Sequence, residues 1–109
     1  MAAPKAIRIN GRQWRVDMVP LDQMDSCYGL CHYSKGLIEV ATCQDPFDTR
    51  DTLLHESMHA ILAQQGRSPL ATEEEELYVR ALSTGLIGVL QDNPEFAKWL
   101  IQPIPRTTS

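Results

Sequence analysis

The sequence lacks long apolar runs and blocks of basic residues. Its longest apolar stretch, residues 86–90, is far shorter than the roughly 20 residues that span a membrane. The N-terminal residues 1–5 lack the apolar core of a signal peptide. The formal net charge is -4, and only Arg8, Arg12 and Arg15 form a thin basic cluster. We therefore expect neither a membrane span nor a nucleic-acid-binding surface.

Cysteine is also scarce, and the number of cysteines is odd. The three residues, Cys27, Cys31 and Cys43, do not suit the disulfide framework of a small secreted domain. They indicate buried thiols in a reducing compartment, so the expected location is the cytoplasm. The alternative is a structural metal site formed by these thiols and His32. It is disfavoured because C-x-x-x-C-H is not a usual zinc-binding spacing.

The apolar content is sufficient for one modest core. Of the 109 residues, 43% are hydrophobic, and two separate halves would each be too small to hold a core. The sequence therefore predicts a single domain over residues 1–109. From about residue 103 onwards, prolines followed by Thr and Ser predict a loose tail.

The first part of the chain is predicted to be β-structure. Apolar residues alternate with polar ones on both sides of Asn10-Gly11, a turn pair that is typical of a β-hairpin. Residues 28–33 and 37–41 flank a Ser-Lys-Gly turn and predict a second hairpin. Together they predict a small antiparallel sheet over residues 6–41.

The rest of the chain is predicted to be helical. A first helix over residues 48–65 would be capped by Asp48 or Thr49 and stopped by Gly66. Its buried stripe is formed by apolar residues at three- and four-residue steps. These residues are Leu53, Leu54, Met58, Ile61 and Leu62.

A second helix is predicted over residues 72–91, after a short turn at 67–70. Thr72 and Glu75 fit a capping box at its start. Its predicted core face consists of Leu77, Val79, Leu82, Leu86, Val89 and Leu90. A short last helix over residues 95–101 would pack Phe96, Trp99 and Leu100. Strands followed by helices indicate an α+β fold.

Two of the three histidines occur in one short motif. His55-Glu56-Ser57-Met58-His59 is an H-E-x-x-H sequence within the amphipathic first helix. Residues four apart lie on one helix face, so both imidazoles can reach a single metal ion. Two nitrogens and a carboxylate suit Zn²⁺, and one ion is expected. Glu56 projects beside the ion, where it can act as the catalytic base.

A hydrolytic zinc site needs a third protein ligand. Residues 73–76 are all Glu, and the turn before them would bring the second helix back against the first. Periodicity barely separates Glu75 from Glu76. Arg80, four residues after Glu76, can hydrogen-bond the Glu76 carboxylate and orient it. We therefore predict Glu76 as the third ligand, with Glu75 as the main alternative and His32 as a weaker one.

The sequence around the motif resembles a known family. Residues 52–61, TLLHESMHAI, resemble the active-site helix of small zincin-like metallopeptidases. These include SprT-like and ImmA/IrrE-like domains and short proteins of phage and prophage origin. Residues 76–86 and then Asp92-Asn93-Pro94 resemble the second conserved block of those phage proteins. In that block the first Glu is the third zinc ligand, which supports Glu76.

The resemblance covers mostly residues 37–94 and implies a minimal gluzincin fold. In such a fold a small antiparallel sheet lies over two helices, with zinc between them. The strand at residues 37–41, just before the active-site helix, would pair with an extended peptide. The four-cysteine zinc ribbon of many SprT-like proteins has no counterpart in this sequence. The substrates of those families therefore do not carry over.

The function implied by the resemblance is zinc-dependent hydrolysis of a peptide or protein substrate. Glu56 would take a proton from water and later deliver it to the leaving amine. His32, Tyr33, Tyr28 and Tyr78 are candidate donors to the oxyanion, and their spacing does not select one of them.

Two other functions are compatible with the same motif. One is a zinc amidase, and the other is a zinc-stabilised regulatory or binding protein with little or no turnover. Glu56 argues against the second, because a purely structural zinc site needs no base.

Overall fold

A computed structural model describes residues 2–65 and 72–104 of the chain. Over these residues it contains four strands and three α-helices, and the strands precede the helices. This arrangement confirms the predicted α+β class. The elements are β1 (Ala6–Ile9), β2 (Arg12–Val19), β3 (Gly29–His32), β4 (Leu37–Ala41), α1 (Pro46–Gln64), α2 (Glu73–Asp92) and α3 (Pro94–Ile101).

The four-stranded sheet is mixed, so the prediction of a wholly antiparallel sheet is wrong. Both predicted hairpins are present as the antiparallel pairs β1/β2 and β3/β4. The strand order is β1-β2-β4-β3, and the central pair β2/β4 is parallel, with Val16 opposite Ile38. Because β4 is the most deeply buried strand, it takes a central position. Sequence alternation predicts which side of a strand is buried, but it does not predict which strands are neighbours.

The core lies between one face of the sheet and α1. Its buried residues are Ile9, Trp14, Val16, Ile38, Val40 and Ala60. Trp14 is fully buried, and its Nε1 donates a hydrogen bond of 2.6 Å to Oε1 of Gln64. The amide nitrogen of Gln64 in turn donates to the carbonyl of Ile9 at 2.8 Å. Gln64 therefore ties the end of α1 to the first hairpin.

Helix α1 begins at Pro46, two residues before its predicted start. Its N-cap is Asp45, whose side chain accepts a 2.7 Å hydrogen bond from the backbone N–H of Asp48. The prediction of Asp48 or Thr49 as the cap is therefore wrong. The Asp-Pro pair explains the earlier start, because proline has no N–H to satisfy and its φ suits the first helical position. The predicted stop at Gly66 and turn at 67–70 lie outside the described residues.

Helix α2 starts where predicted but buries a different face. The Thr72 side chain accepts a 3.0 Å hydrogen bond from the N–H of Glu75, which confirms Thr72 as the cap. The predicted second half of the capping box does not form, because the Glu75 carboxylate contacts His59. The buried residues are Glu75, Val79, Ser83 and Ile87. The predicted core face is therefore wrong apart from Val79 and the half-buried Leu90. The other members, Leu77, Leu82, Leu86 and Val89, are exposed.

Polar contacts explain the orientation of α2. The hydroxyls of Ser83 and Thr84 each donate a 2.9 Å hydrogen bond to the Asp51 carboxylate on α1. Both contacts lie at the interface between the two helices. Asp51 is half-buried and Ser83 is buried, so both polar groups need hydrogen-bond partners, and these contacts turn the Ser83 side of α2 toward α1.

Helix α3 forms as predicted, but it does not pack as predicted. Phe96, Trp99 and Leu100 are exposed, and α3 has no buried residue. Pro103 and Ile104 have no regular secondary structure, and the remainder of the predicted tail lies outside the described residues. In the part of the chain that is described, each helix is too short or too polar to cross a membrane.

We predict that Gln64→Ala lowers the free energy of unfolding by about 1–3 kcal/mol. The substitution leaves the Trp14 N–H and the Ile9 carbonyl without their shared partner. Urea denaturation of the purified protein measures the loss. Gln65→Ala is the control, because Gln65 is the next residue and is exposed. Equal stability of the two variants would contradict the conclusion that Gln64 stabilises the contact between α1 and the first hairpin.

Candidate metal centre

A cleft of about 700 Å³ lies where α1, α2 and the edge strand β3 meet. Each of the three elements contributes side chains or backbone to its wall. The lining includes Tyr28, Gly29 and Cys31 from the β3 region, His55, Glu56 and His59 from α1, and Glu76 and Arg80 from α2. One cavity is therefore lined by all three chemically active residues of the H-E-x-x-H motif, namely His55, Glu56 and His59.

Three predicted ligand side chains converge in this cleft. Nε2 of His55 lies 3.2 Å from Nε2 of His59. The two oxygens of Glu76 lie 2.6 Å from His55 Nε2 and 3.0 Å from His59 Nε2. The three ligand atoms all lie within 4.8 Å of one another. Helix α1 sets the spacing of the histidines, and the packing of α2 adds the carboxylate.

The donor set fits a zinc ion. Ligands of a tetrahedral zinc at 2.0–2.1 Å lie roughly 3.3 Å apart, close to the 3.2 Å between the two imidazole nitrogens. Two imidazoles and one carboxylate are ligands typical of catalytic zinc, and three protein ligands leave a fourth position for water or substrate. The open cleft gives access to that position.

Glu75, the alternative ligand, has a different place. It is buried, and its Oε2 lies 2.8 Å from Nδ1 of His59, on the side of the ring away from the cluster. When Nδ1–H donates to this carboxylate, Nε2 carries the lone pair that a metal needs. Neighbouring carboxylates in one helix turn therefore take two roles, because Glu76 faces the imidazole tips and Glu75 orients one ring.

The expected contact between Arg80 and Glu76 is present but loose. The guanidinium lies 3.8 Å from the Glu76 carboxylate, one helical turn away, and the Arg80 side chain is largely exposed. A long contact at an exposed site contributes little energy. The position of Glu76 therefore depends mainly on the packing of α2 against α1.

Glu56 is buried beside the cluster. Its carboxylate comes within 4.0 Å of His55 Nε2. Burial raises the pKa of Glu56 to about 7, while His59 lowers this pKa and Glu76 raises it by smaller amounts. A carboxyl group with a pKa near 7 can both accept and release a proton near neutral pH.

Gly29 is a site residue that sequence analysis missed. A Cβ at this position would lie 2.6 Å from Cγ2 of Thr52 and 2.9 Å from Oε2 of Glu56. Only glycine lets β3 approach α1 this closely, and the approach encloses Glu56. A lone glycine within a predicted strand is the signal that could have found it, because it often marks a close backbone approach.

The four proposed oxyanion donors are dispersed by the fold. Tyr28 lines the cleft. Tyr33 packs 5.9 Å from Trp14, beneath the Arg12 guanidinium. His32 lies 2.5 Å from Glu39, which alternates with the buried Ile38 and Val40 and therefore faces away from α1. Tyr78 lines a separate groove.

His32 lies on the sheet face that points away from α1, so it is not a ligand of the cluster. The alternative cysteine site is also absent, because the residues described at 2–65 and 72–104 contain one candidate metal group, formed by His55, His59 and Glu76. Cys27 and Cys43 are exposed rather than buried as expected. Cys31 is half-buried at the cleft, where burial raises the pKa of its thiol to about 11, Glu56 adds to the rise and Arg12 opposes it.

Comparison of the chain with protein-family models, curated proteins and solved structures finds no match. The geometry and chemistry of the cleft are therefore the basis for a functional proposal.

We predict that Gly29→Ala lowers the free energy of unfolding by about 1–3 kcal/mol, because its methyl group must displace Thr52 or Glu56. Gly88→Ala is the matched control. A Cβ at Gly88 meets no atom within 4 Å, and alanine favours a helix, so this variant should be equal or up to about 1 kcal/mol more stable. Denaturant unfolding compares the two. A Gly29→Ala protein as stable as the unsubstituted one would show that the close approach is not required.

Proposed function

We propose that this chain is a zinc-dependent peptidase. The observation that carries the proposal is the convergence of His55, His59 and Glu76 beside the buried carboxyl of Glu56, within one open cleft. A site that only stabilises a fold needs a closed coordination shell and has no use for a buried base. The proposal therefore assigns turnover as well as metal binding to the cleft.

Each residue of the site has a separate role in the proposed hydrolysis. His55, His59 and Glu76 would hold a zinc ion, whose Lewis acidity would polarise a carbonyl and make water more acidic. Glu56, buried beside these ligands, takes a proton from the attacking water and returns it to the leaving amine. Glu75 holds His59 in the required orientation and tautomer. Tyr28 is the one candidate oxyanion donor that lines the cleft, and its hydroxyl donates a hydrogen bond to the carbonyl oxygen of the substrate.

The edge strand β3 is the proposed place for the substrate. The earlier expectation that residues 37–41 would pair with a peptide is wrong, because β4 is hydrogen-bonded to β2 on one side and β3 on the other. β3 is the terminal strand of the sheet, and Gly29 to Cys31 line the cleft. An extended peptide added at this edge would pass directly over Glu56 and the ligand cluster.

The ligand set is tested by zinc content. Glu76→Ala removes a ligand, so the purified protein should no longer hold stoichiometric zinc. Glu75→Gln keeps the ligands but weakens the orientation of His59, so we expect zinc affinity to fall by roughly 10–100-fold. Glu74→Ala, at an exposed carboxylate of the same run, should leave zinc content unchanged. Elemental analysis and competition with a zinc chelator measure all three, and equal zinc in Glu76→Ala and Glu74→Ala would refute the ligand set.

Turnover is tested by Glu56→Gln. The variant should retain zinc, because Glu56 is not a ligand, and should lose at least about 100-fold in the rate of peptide cleavage, because it has no base. Mass spectrometry of a peptide mixture incubated with the zinc-loaded protein detects cleavage, with Glu74→Gln as the control. If the unsubstituted zinc protein cleaves no peptide, the proposal fails in favour of a zinc-stabilised binding protein. If only non-peptide amides are hydrolysed, the amidase alternative replaces it.

A further inference from the structure

Helix α2 carries an apolar stripe that nothing in the described chain covers. Tyr78, Leu82, Gly85, Leu86 and Val89 follow one another at steps of four, three, one and three residues, so they share one side of the helix. Tyr78 and Leu82 are 62% and 59% exposed, and Leu86 and Val89 are exposed too. Steps of four, three and four residues, from Tyr78 through Leu82 and Gly85 to Val89, are typical of a helix that packs along another helix.

The stripe borders an apolar groove between α1 and α2. The groove has a volume of about 340 Å³ and is lined by Met58, Ile61, Leu62, Glu75, Tyr78, Val79 and Leu82. By helical geometry, Tyr78 and Leu82 flank the buried face of α2 on one side, while Glu76 and Arg80 flank it on the other. The groove and the metal-site cleft therefore lie on opposite flanks of the α1–α2 contact.

The stripe is nearly symmetric about its own centre. A two-fold axis placed between Gly85 and Leu86 sets Leu82 of one copy opposite Val89 of a second copy in antiparallel packing. Gly85 then lies at the crossing point, where a Cβ would meet no atom within 4 Å of its own chain. A glycine at the crossing lets two helix backbones approach closely. This arrangement meets the requirement of an isologous interface, in which one patch is complementary to itself.

The geometry points to a homodimer in which α2 packs antiparallel on α2 of a second copy. The same two-fold axis brings the C-terminal turns of α2 beside the partner's α1–α2 groove. The dimer would thus cover the stripe and border the groove, both of which the described chain leaves in water.

Charge favours the antiparallel orientation of the two helices. The N-terminus of α2 carries Glu73 and Glu74, both exposed. A parallel arrangement would set the two glutamate runs against each other, whereas antiparallel packing places them at opposite ends of the contact.

The mass of the purified full chain in solution tests the dimer. Sedimentation velocity and light scattering of the unsubstituted protein should give twice the chain mass of 12.3 kDa at micromolar concentration. Leu82→Glu places a charge in the interface and should weaken dimerisation at least about tenfold. Leu77→Glu is the matched control, because Leu77 is 68% exposed on the same helix but lies off the stripe. Far-UV circular dichroism verifies that both variants are folded.

Two results would overturn the proposal. One is a monomeric unsubstituted protein, and the other is equal weakening of the dimer by Leu82→Glu and Leu77→Glu. Neither result depends on zinc binding or turnover, so both are independent of the proposed activity.

Discussion

The packing of α2 against α1 through polar side chains is the contact on which the candidate site depends. Asp51 accepts hydrogen bonds from Ser83 and Thr84, and about two turns away on each helix His59 contacts Glu75. These contacts define both the rotation and the height of α2. Because Glu76 follows Glu75 in the chain, the same rotation places the Glu76 carboxylate next to Nε2 of both His55 and His59. The cluster of His55, His59 and Glu76 is thus a consequence of how two helices pack.

This packing also has a consequence on the other side of α2. A helix that buries Glu75 and Ser83 together with Val79 and Ile87 leaves leucines on its other sides, and Leu77 and Leu82 are exposed. An exposed leucine costs less free energy than a buried carboxylate without a partner. The molecule therefore combines a site held by hydrogen bonds with an apolar surface available for association. One rotation of α2 accounts for both.

The sheet contributes the third wall of the site through a close approach of backbone to helix. Gly29 removes the side chain that would separate β3 from α1, so Glu56 is enclosed and its pKa rises to about 7. The same strand is the edge of the sheet, since β4 is occupied on both sides. The free hydrogen-bonding edge and the buried base are therefore adjacent. Substrate binding at β3 and proton transfer at Glu56 would use one short segment.

Local patterns in the sequence were enough to predict the α+β class, both hairpins, the extent of the helices to within a few residues and the motif His55-Glu56-x-x-His59. These features depend on neighbours a few residues apart, whose geometry is set by the helix or strand itself. The parallel pairing of β2 with β4, the edge position of β3, the separate roles of Glu75 and Glu76 and the buried face of α2 were decided only by tertiary structure. Each depends on contacts between residues distant in the chain, where a buried polar group must find its partner whatever the apolar periodicity favours.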